Sequence, residues 1–257
     1  MIDLIRIDRE GAVAILTIDH PPANALSQRA LAELQASLSV VGDDDGVRAL
    51  VLTGEGDRYF VAGADISEME SSPEETKIRT ERGQRLTLSM ERSRLPIIAA
   101  INGYALGGGL ELAMACDLRI ARAGTRVGQP EVKLGLIPGW GGTQRLPRII
   151  GRGPALALLM TGDLIDAEEA LRIGLVDEVV AAEELRPRAL LLAQKLANQS
   201  PVAIAAIKRA MADGLELPLA EGLAAELDAF MTAAQSADGK EGVAAFLAKR
   251  PARWTGH

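Results

Sequence analysis

Glycine is concentrated in one stretch of this chain. Twelve of its 26 glycines lie between Gly103 and Gly153, which is a fifth of the 257 residues. Glycine has no Cβ, so it permits positive-φ turns and lets another segment or a ligand come close to the backbone. The distribution therefore predicts a tightly turned central region with a site lined by backbone atoms.

The spacing of these glycines argues against two common nucleotide-binding loops. A phosphate loop ends in Gly-Lys-Ser or Gly-Lys-Thr, and a dinucleotide turn has the pattern Gly-x-Gly-x-x-Gly. Residues 107–112 are Gly-Gly-Gly-Leu-Glu-Leu, with no glycine in the sixth place. The triple glycine predicts either close packing of a helix on a strand or a site built from backbone amides.

Composition limits the class of protein. The chain is 48% hydrophobic and 25% charged, which is typical of a globular protein, and its 3% aromatic content leaves the core to Ala, Leu, Ile and Val. A net charge of −7 without a Lys/Arg-rich block argues against a nucleic-acid partner. The single cysteine, Cys116, excludes an internal disulfide, and neither a signal-peptide pattern nor an uninterrupted long apolar segment is present. We therefore expect a cytoplasmic protein with no membrane or nucleic-acid partner.

Apolar, β-branched segments alternate with helical patterns over the first half of the chain. Ser27 is a predicted N-cap for a helix over 28–41, and residues 107–109 open an apolar helix that continues to Cys116. Strand, helix, strand in this order predicts parallel crossover units. The predicted strands are 12–18, 47–53, 59–61, 97–101 and 117–121.

The last third of the chain has a different pattern. From about Asp166 onward we predict helices only, and Pro201 and Pro218 stand where proline begins helices. The amphipathic segments are 183–198, 201–213, 218–235 and 240–249.

The histidine and cysteine content removes several catalytic mechanisms. Only His20 and His257 are present, and His20 lies beside two prolines with no nucleophile motif nearby, so a Ser-His-Asp or Cys-His device is not expected. No cluster has zinc-ligand spacing and no loop resembles a calcium site, so we expect no metal site. Carboxylates and backbone amides remain as candidates for chemistry.

Three carboxylates are singled out by their positions. Glu111 follows the glycine run in a helix that is apolar nearly all round, which predicts either a favourable charge for the helix dipole or a buried carboxylate with a displaced pKa. Glu131 follows Pro130 and is either a turn carboxylate or a catalytic one. Asp65 fits a capping box with Glu68, so its side chain is expected to be structural.

Two glycine-containing turns precede helices, at 62–65 and 107–109. Amides at the start of a helix lack a carbonyl partner within the helix and can receive a developing negative oxygen. Two such donors from separate turns would form an oxyanion hole, worth about 3–4 kcal/mol per donor in known enzymes.

Five motifs that include these positions occur in order along the chain. They are Asn24-Ala25-Leu26, Phe60-Val61-Ala62-Gly63-Ala64-Asp65-Ile66, Asn102-Gly103-Tyr104-Ala105-Leu106-Gly107-Gly108-Gly109-Leu110-Glu111-Leu112, Gly128-Gln129-Pro130-Glu131 and Pro138-Gly139-Trp140-Gly141-Gly142-Thr143-Gln144-Arg145-Leu146. Together they resemble the enoyl-CoA hydratase/isomerase (crotonase) superfamily, and its hydratase branch in particular. The likeness covers nearly the whole chain.

The resemblance implies an α/β fold with two parts. Residues 1–198 would form a crotonase-like spiral of ββα turns that holds the active site. Residues 199–257 would form a helical region that packs into homotrimers, two of which commonly stack into a hexamer.

The resemblance also implies roles for particular residues. The amides of Ala64 and Gly108 would hold the thioester carbonyl oxygen. Glu111 and Glu131 would flank the catalytic water, with Gly139 beside it. The CoA channel would be lined by Ala25, Leu26, Ala62, Asp65 and Ile66.

Two positions depart from the pattern of this superfamily. Ser67 stands where many relatives have lysine, which leaves the CoA phosphates to other basic residues such as Arg58. Trp140 stands where a smaller residue is common, and it predicts either packing or a limit on the acyl pocket.

The implied activity is reversible addition of water to trans-2-enoyl-CoA, giving 3-hydroxyacyl-CoA, in fatty-acid β-oxidation. CoA would be part of the substrate, and no cofactor is expected. The presence of both glutamates favours a hydratase over an isomerase or another crotonase-type acyl-CoA enzyme. The acidic balance disfavours a non-catalytic CoA- or RNA-binding member.

Overall fold

The computed structural model describes residues 3–69 and 72–257. In this part of the chain the strands are β1 Ile5–Glu10, β2 Val13–Ile18, β3 Ala49–Gly54, β4 Tyr59–Val61, β5 Ile97–Ile101, β6 Tyr104–Leu106, β7 Leu118–Arg122, β8 Arg126–Gly128, β9 Leu164–Asp166 and β10 Glu178–Val180. The α-helices are α1 Gln28–Asp43, α2 Pro73–Glu91, α3 Gly108–Ala115, α4 Gly142–Ile150, α5 Arg152–Thr161, α6 Ala167–Arg172, α7 Leu185–Ala197, α8 Pro201–Gly214, α9 Leu219–Gln235 and α10 Ala237–Leu247.

Three successive turns of the chain each contribute one strand to each of two sheets. The larger sheet has the order β1-β2-β3-β5-β7-β10, and the smaller has the order β4-β6-β8-β9. In the pairs β3/β4, β5/β6 and β7/β8, the first strand joins the larger sheet and the second joins the smaller sheet. A helix follows β4 and another follows β6. All neighbours from β2 to β10 in the larger sheet are parallel. This arrangement confirms the predicted α/β spiral.

The larger sheet is covered on both faces, as a parallel sheet requires. Strand β2 is buried along its whole length. On one face Val13, Ile15 and Val51 pack with Leu185 and Ala189 of helix α7. The other face packs against α1, α2 and α3 in a core that is almost entirely aliphatic, which is what the low aromatic content predicts.

The elements predicted in the first half are confirmed within a few residues. Helix α1 begins after Ser27, whose side-chain oxygen accepts a hydrogen bond from the Ala30 amide at 3.2 Å. The helix after the triple glycine runs as predicted, and Glu111 within it is only 2% exposed. The four amphipathic segments near the C-terminus form α7 to α10.

Two local predictions are wrong. The region after Asp166 is not entirely helical, because β10 pairs in parallel with β7; this strand is only three residues long and half-buried, so it leaves little periodic signal. The capping box at Asp65 does not form. The Asp65 amide donates to the Leu26 carbonyl oxygen, and the Asp65 carboxylate accepts from the amide and hydroxyl of Ser67 at 3.0 and 2.7 Å.

Within residues 3–69 and 72–257, no helix is long and apolar enough to cross a membrane. The division between a spiral core and a separate region from residue 199 stays a prediction. Helix α8 is tied to the spiral by Lys208, whose Nζ donates to the Asp117 carboxylate at 2.7 Å and to the Leu95 carbonyl oxygen at 2.8 Å.

Candidate active site

The glycine-containing turns and the helix α2 enclose a cavity of about 220 Å³. Its walls come from residues 62–66, from one face of α2, from the start of α3 and from the segment 130–140. The spiral explains this convergence, because residues 62–66 follow β4, α3 follows β6 and the segment 130–140 follows β8. These three strands are neighbours in the smaller sheet.

A short parallel bridge holds the first amide turn. The Leu26 amide donates to the Gly63 carbonyl oxygen at 2.8 Å, and the Asp65 amide donates to the Leu26 carbonyl oxygen at 3.0 Å. In such a bridge the N–H of the middle residue, Ala64, points away from the bridge partner Leu26. The Ala64 amide is therefore not used by the bridge, and Ala64 borders the cavity.

The second amide belongs to the first residue of α3. Because Gly108 begins the helix, no helix carbonyl lies four residues before it to accept its N–H. The two turns adjoin: a Cβ placed on Gly63 would lie 3.8 Å from the Gly108 amide nitrogen. Gly107 adopts a φ of +52°, and a Cβ there would lie 2.8 Å from Oε1 of Glu131. Glycine at 107 thus permits both the turn and the approach of this carboxylate.

Glu111 is buried and held by two backbone amides. Its Oε1 accepts from the Trp140 amide at 2.7 Å and from the Gly142 amide at 2.6 Å. Burial raises the pKa of Glu111 to about 7; Glu131 raises it further, whereas the two amides and Arg145 oppose the rise. A carboxyl with a pKa near neutrality can exchange a proton at physiological pH.

Arg145 holds the loop that supplies these two amides. Its Nη1 donates to the Trp140 carbonyl oxygen at 2.7 Å. Its Nε and Nη2 donate to the two carboxylate oxygens of Glu91 in α2, at 2.6 and 3.0 Å. This bidentate pair is partly buried, which makes it a firm connection between α2 and α4.

Glu131 lies in the short 3₁₀ helix Pro130–Leu134 and is held by a residue that is not among the predicted site residues. Gln129 is completely buried, and with its amide nitrogen facing Glu131 it donates to both carboxylate oxygens at 2.9 and 3.1 Å. Burial raises the pKa of Glu131. The available signal was a polar residue directly after the buried residues Val127 and Gly128 of strand β8.

The other predicted site residues divide into two groups. Ala62, Ile66 and Gly139 border the cavity. Leu26 is buried and its backbone is hydrogen-bonded to the 62–65 turn, and the Ala25 carbonyl oxygen is hydrogen-bonded to the His20 ring. The contacts of these residues, and of Asp65, with CoA stay predictions.

Metal ligands are not gathered at this site. Among residues 3–69 and 72–257 no group of three or more His, Cys, Asp or Glu side chains could hold a metal ion. The chemistry available from the described residues is that of two carboxyls with raised pKa values and two amide donors beside one cavity.

Comparison with known proteins supports this description. The family model for enoyl-CoA hydratase/isomerase matches residues 8–257. A crotonyl-CoA hydratase from Syntrophomonas wolfei is 44% identical over 252 residues, with 97% of each chain covered. A 2,3-dehydroadipyl-CoA hydratase from Escherichia coli is 40% identical over 245 residues, with 95% of each chain covered. The crystal structure of an enoyl-CoA hydratase from Bacillus anthracis superposes with a TM-score of 0.94 at 38% identity, covering 99% of this chain and 100% of that one.

The fold and the site therefore define an enzyme of the crotonase fold. The chain belongs to the enoyl-CoA hydratase/isomerase family.

Proposed function

We propose that the protein catalyses the reversible addition of water to trans-2-enoyl-CoA, giving 3-hydroxyacyl-CoA. One observation carries this proposal: Glu111 and Glu131 border the same cavity as the amide-bearing residues Ala64 and Gly108. Hydration requires these parts together, because a proton must leave the attacking water, a proton must reach Cα, and negative charge on the thioester oxygen must be stabilised.

The two amides have the main electrostatic task. When water adds at Cβ of the enoyl group, negative charge gathers on the thioester oxygen as an enolate. The N–H groups of Ala64 and Gly108 are fixed by the backbone of two adjoining turns, so they need little reorganisation as the charge develops.

The two carboxyls divide the proton transfers. Glu111, fixed through one oxygen by two backbone amides, holds and activates the water that attacks Cβ. Glu131, next to Gly107 and held by Gln129, exchanges the proton with Cα. The charge of Glu131 helps to raise the pKa of Glu111, so the protonation of one carboxyl influences that of the other.

A simple assay tests this proposal. Crotonyl-CoA should lose its conjugated absorbance in the presence of the protein, and Glu131→Gln should slow this by about 10²–10⁴-fold, the usual contribution of general acid–base catalysis. The folded state of the variant is checked by circular dichroism and thermal unfolding. Unchanged turnover in a normally folded Glu131→Gln protein would exclude the assignment.

The proposal includes the wider context of the reaction. CoA is carried by the substrate, no cofactor is needed, and the reaction is the hydration step of β-oxidation-type degradation. Cys116 is a buried free thiol, which is typical of cytoplasmic proteins, and we propose that location for the enzyme.

Two relatives of similar identity are named for different acyl groups. The crotonyl group ends in a methyl, whereas the 2,3-dehydroadipyl group ends in a carboxylate. The acyl specificity of this chain therefore has to come from its own cavity.

We also propose assembly into a homotrimer or a dimer of trimers. The support comes from two exposed apolar stripes with helical spacing on neighbouring helices of the C-terminal region. They comprise Ile207 and Met211 on α8 with Leu215 directly after it, and Leu219, Leu223, Leu227 and Phe230 on α9.

A further inference from the structure

Arg79 occupies an unusual place on helix α2. The buried residues of this helix are Arg79, Gly83, Leu86, Thr87 and Met90, which form the stripe that faces the rest of the molecule. Arg79 is 7% exposed and borders the active-site cavity. Packing alone would favour a small or apolar side chain at this position. The charge of Arg79 therefore points to a function.

One nitrogen of the Arg79 guanidinium lacks a hydrogen-bond partner in the described part of the chain. Its Nη1 is inaccessible to solvent and makes no hydrogen bond there. Other arginines on α2 are engaged: Arg82 donates to Gln28 at 2.6 Å, and Arg85 pairs with Glu81 at 3.7 Å.

This arrangement is costly without a ligand. A guanidinium remains charged at every physiological pH and carries five N–H donors. The Asp65 carboxylate is near enough for the charge of Arg79 to lower its pKa, but no hydrogen bond joins the two side chains, and leaving donors of a buried guanidinium unsatisfied is unfavourable. The catalytic carboxyls do not serve as its partners, because Glu111 is held by backbone amides and Glu131 by Gln129.

An anion delivered with the substrate would satisfy Arg79. The phosphates of CoA are poor candidates, since the long pantetheine arm separates them from the thioester, whereas Arg79 lines the same small cavity as Glu111 and Glu131. The part of the substrate that enters this cavity is the acyl group.

We propose that Arg79 binds a carboxylate at the far end of the acyl group, so that the preferred substrates are short enoyl-CoA thioesters derived from dicarboxylic acids. This proposal rests on the proposed hydratase function and specifies its substrate class. The planar fork of arginine suits a carboxylate, with which it forms two parallel hydrogen bonds.

The test compares substrates that differ only at the acyl end. Initial rates of hydration are measured for 5-carboxypent-2-enoyl-CoA against hex-2-enoyl-CoA, and for 4-carboxybut-2-enoyl-CoA against pent-2-enoyl-CoA. The wild-type protein should show a kcat/KM about 10- to 100-fold higher for the carboxylate-ended member of at least one pair, as expected for a charge-assisted hydrogen bond. Arg79→Met should abolish or reverse this preference, and Arg79→Lys should retain part of it.

Arg85→Met is the matched control, because it removes one positive charge from an exposed position on the same helix and should keep the wild-type preference. Equal kcat/KM values of the wild-type protein for both members of each pair would overturn the proposal without any variant. An Arg79→Met protein that binds all substrates and free CoA more weakly by the same factor would also overturn it, since this pattern indicates contact with CoA itself. If the wild-type protein hydrates none of the thioesters, the hydratase function fails instead.

Discussion

The carboxyl of Glu111 shows how one buried residue combines a proposed catalytic role with a cost in stability. Two short hydrogen bonds from backbone amides favour its charged form, yet burial is the larger effect and raises its pKa from 4.5 to about 7. The folded protein therefore keeps a proton that the unfolded chain releases between these two values. The stability that this proton contributes is present below pH 4.5 and is lost as the pH rises through 7.

We expect this loss to be measurable in Glu111→Gln. The amide keeps an acceptor for the Trp140 and Gly142 N–H groups but does not titrate. Relative to wild type, the variant should gain about 2 kcal/mol of unfolding free energy between pH 5 and pH 8. Denaturant unfolding at both pH values, at the same protein concentration, provides the measurement. A constant difference between the two proteins across this range would contradict the raised pKa.

Gln129 is predicted to position Glu131 without contacting substrate. Replacing it with leucine removes both donors to the carboxylate and leaves a buried side chain of similar size. We expect kcat for crotonyl-CoA to fall about 10- to 100-fold with little change in KM, the size of a lost hydrogen bond to a charged group.

A second measurement separates positioning from packing. Loss of the two donors should raise the pKa of Glu131 further and move the corresponding limb of the pH–rate profile to higher pH. If Gln129→Leu loses thermal stability but keeps the wild-type kcat and pH profile, Gln129 is only a packing residue.

These residues mark the limit of prediction from the sequence. Glu111 and Glu131 could be selected because they follow motifs in the chain, and the structure places both beside one cavity. Gln129 and Arg79 could not, because their significance depends on contacts between segments far apart in the chain. An arginine in a helix rich in charged residues looks ordinary until the helix face that it occupies is known.

At the scale of elements, Trp140 connects two helices and separates two cavities. Its ring lies between Gly83 of α2 and Gly108 of α3, and a Cβ on either glycine would overlap the ring. It borders the active-site cavity on one side and a cavity of about 650 Å³ on the other. The two alternatives left open by the sequence, packing and a limit on the acyl pocket, are therefore compatible.

We predict that Trp140→Leu lengthens the acceptable acyl chain. The smaller side chain should open the partition, so the ratio of kcat/KM for C8 over C4 enoyl-CoA should rise at least about tenfold, equivalent to about 1.4 kcal/mol. Thermal unfolding should show a loss of stability, because the slot between the helices is no longer filled. Trp140→Phe is the matched control and should keep the wild-type C8/C4 ratio. An unchanged ratio in a folded Trp140→Leu protein would show that the acyl end lies elsewhere.

Elements with strong local patterns were predictable, and those defined by pairing were not. Strand β5 and helix α3 have continuous apolar sequences and were located correctly. Strands β8 and β10 have three residues each, and only their partners in the sheets define them. The capping box at Asp65 failed for a similar reason, because a parallel bridge to Leu26 took the amide that the local motif would have used.

At the scale of the whole molecule, the C-terminal helices present more apolar surface than a free monomer tolerates well. Leu223, Leu227 and Phe230 on α9 are 52%, 58% and 64% exposed, and they follow one another at helical spacing. Helix α8, against which α9 packs, carries its own exposed stripe that includes Met211. Such a continuous surface is characteristic of a subunit interface.

We predict that the double substitution Leu223→Asp and Leu227→Asp dissociates the assembly. Two buried, unpaired carboxylates would be needed to keep the interface closed, and their desolvation cost exceeds what the remaining apolar contacts supply. Light scattering coupled to gel filtration should give a mass of three or six subunits for the wild-type protein and one subunit for the variant. Leu191→Asp, a substitution at a 60% exposed leucine on α7, is the control and should keep the wild-type mass. A variant that remains a trimer would place the interface on another face, and a monomeric wild-type protein would remove the assembly altogether.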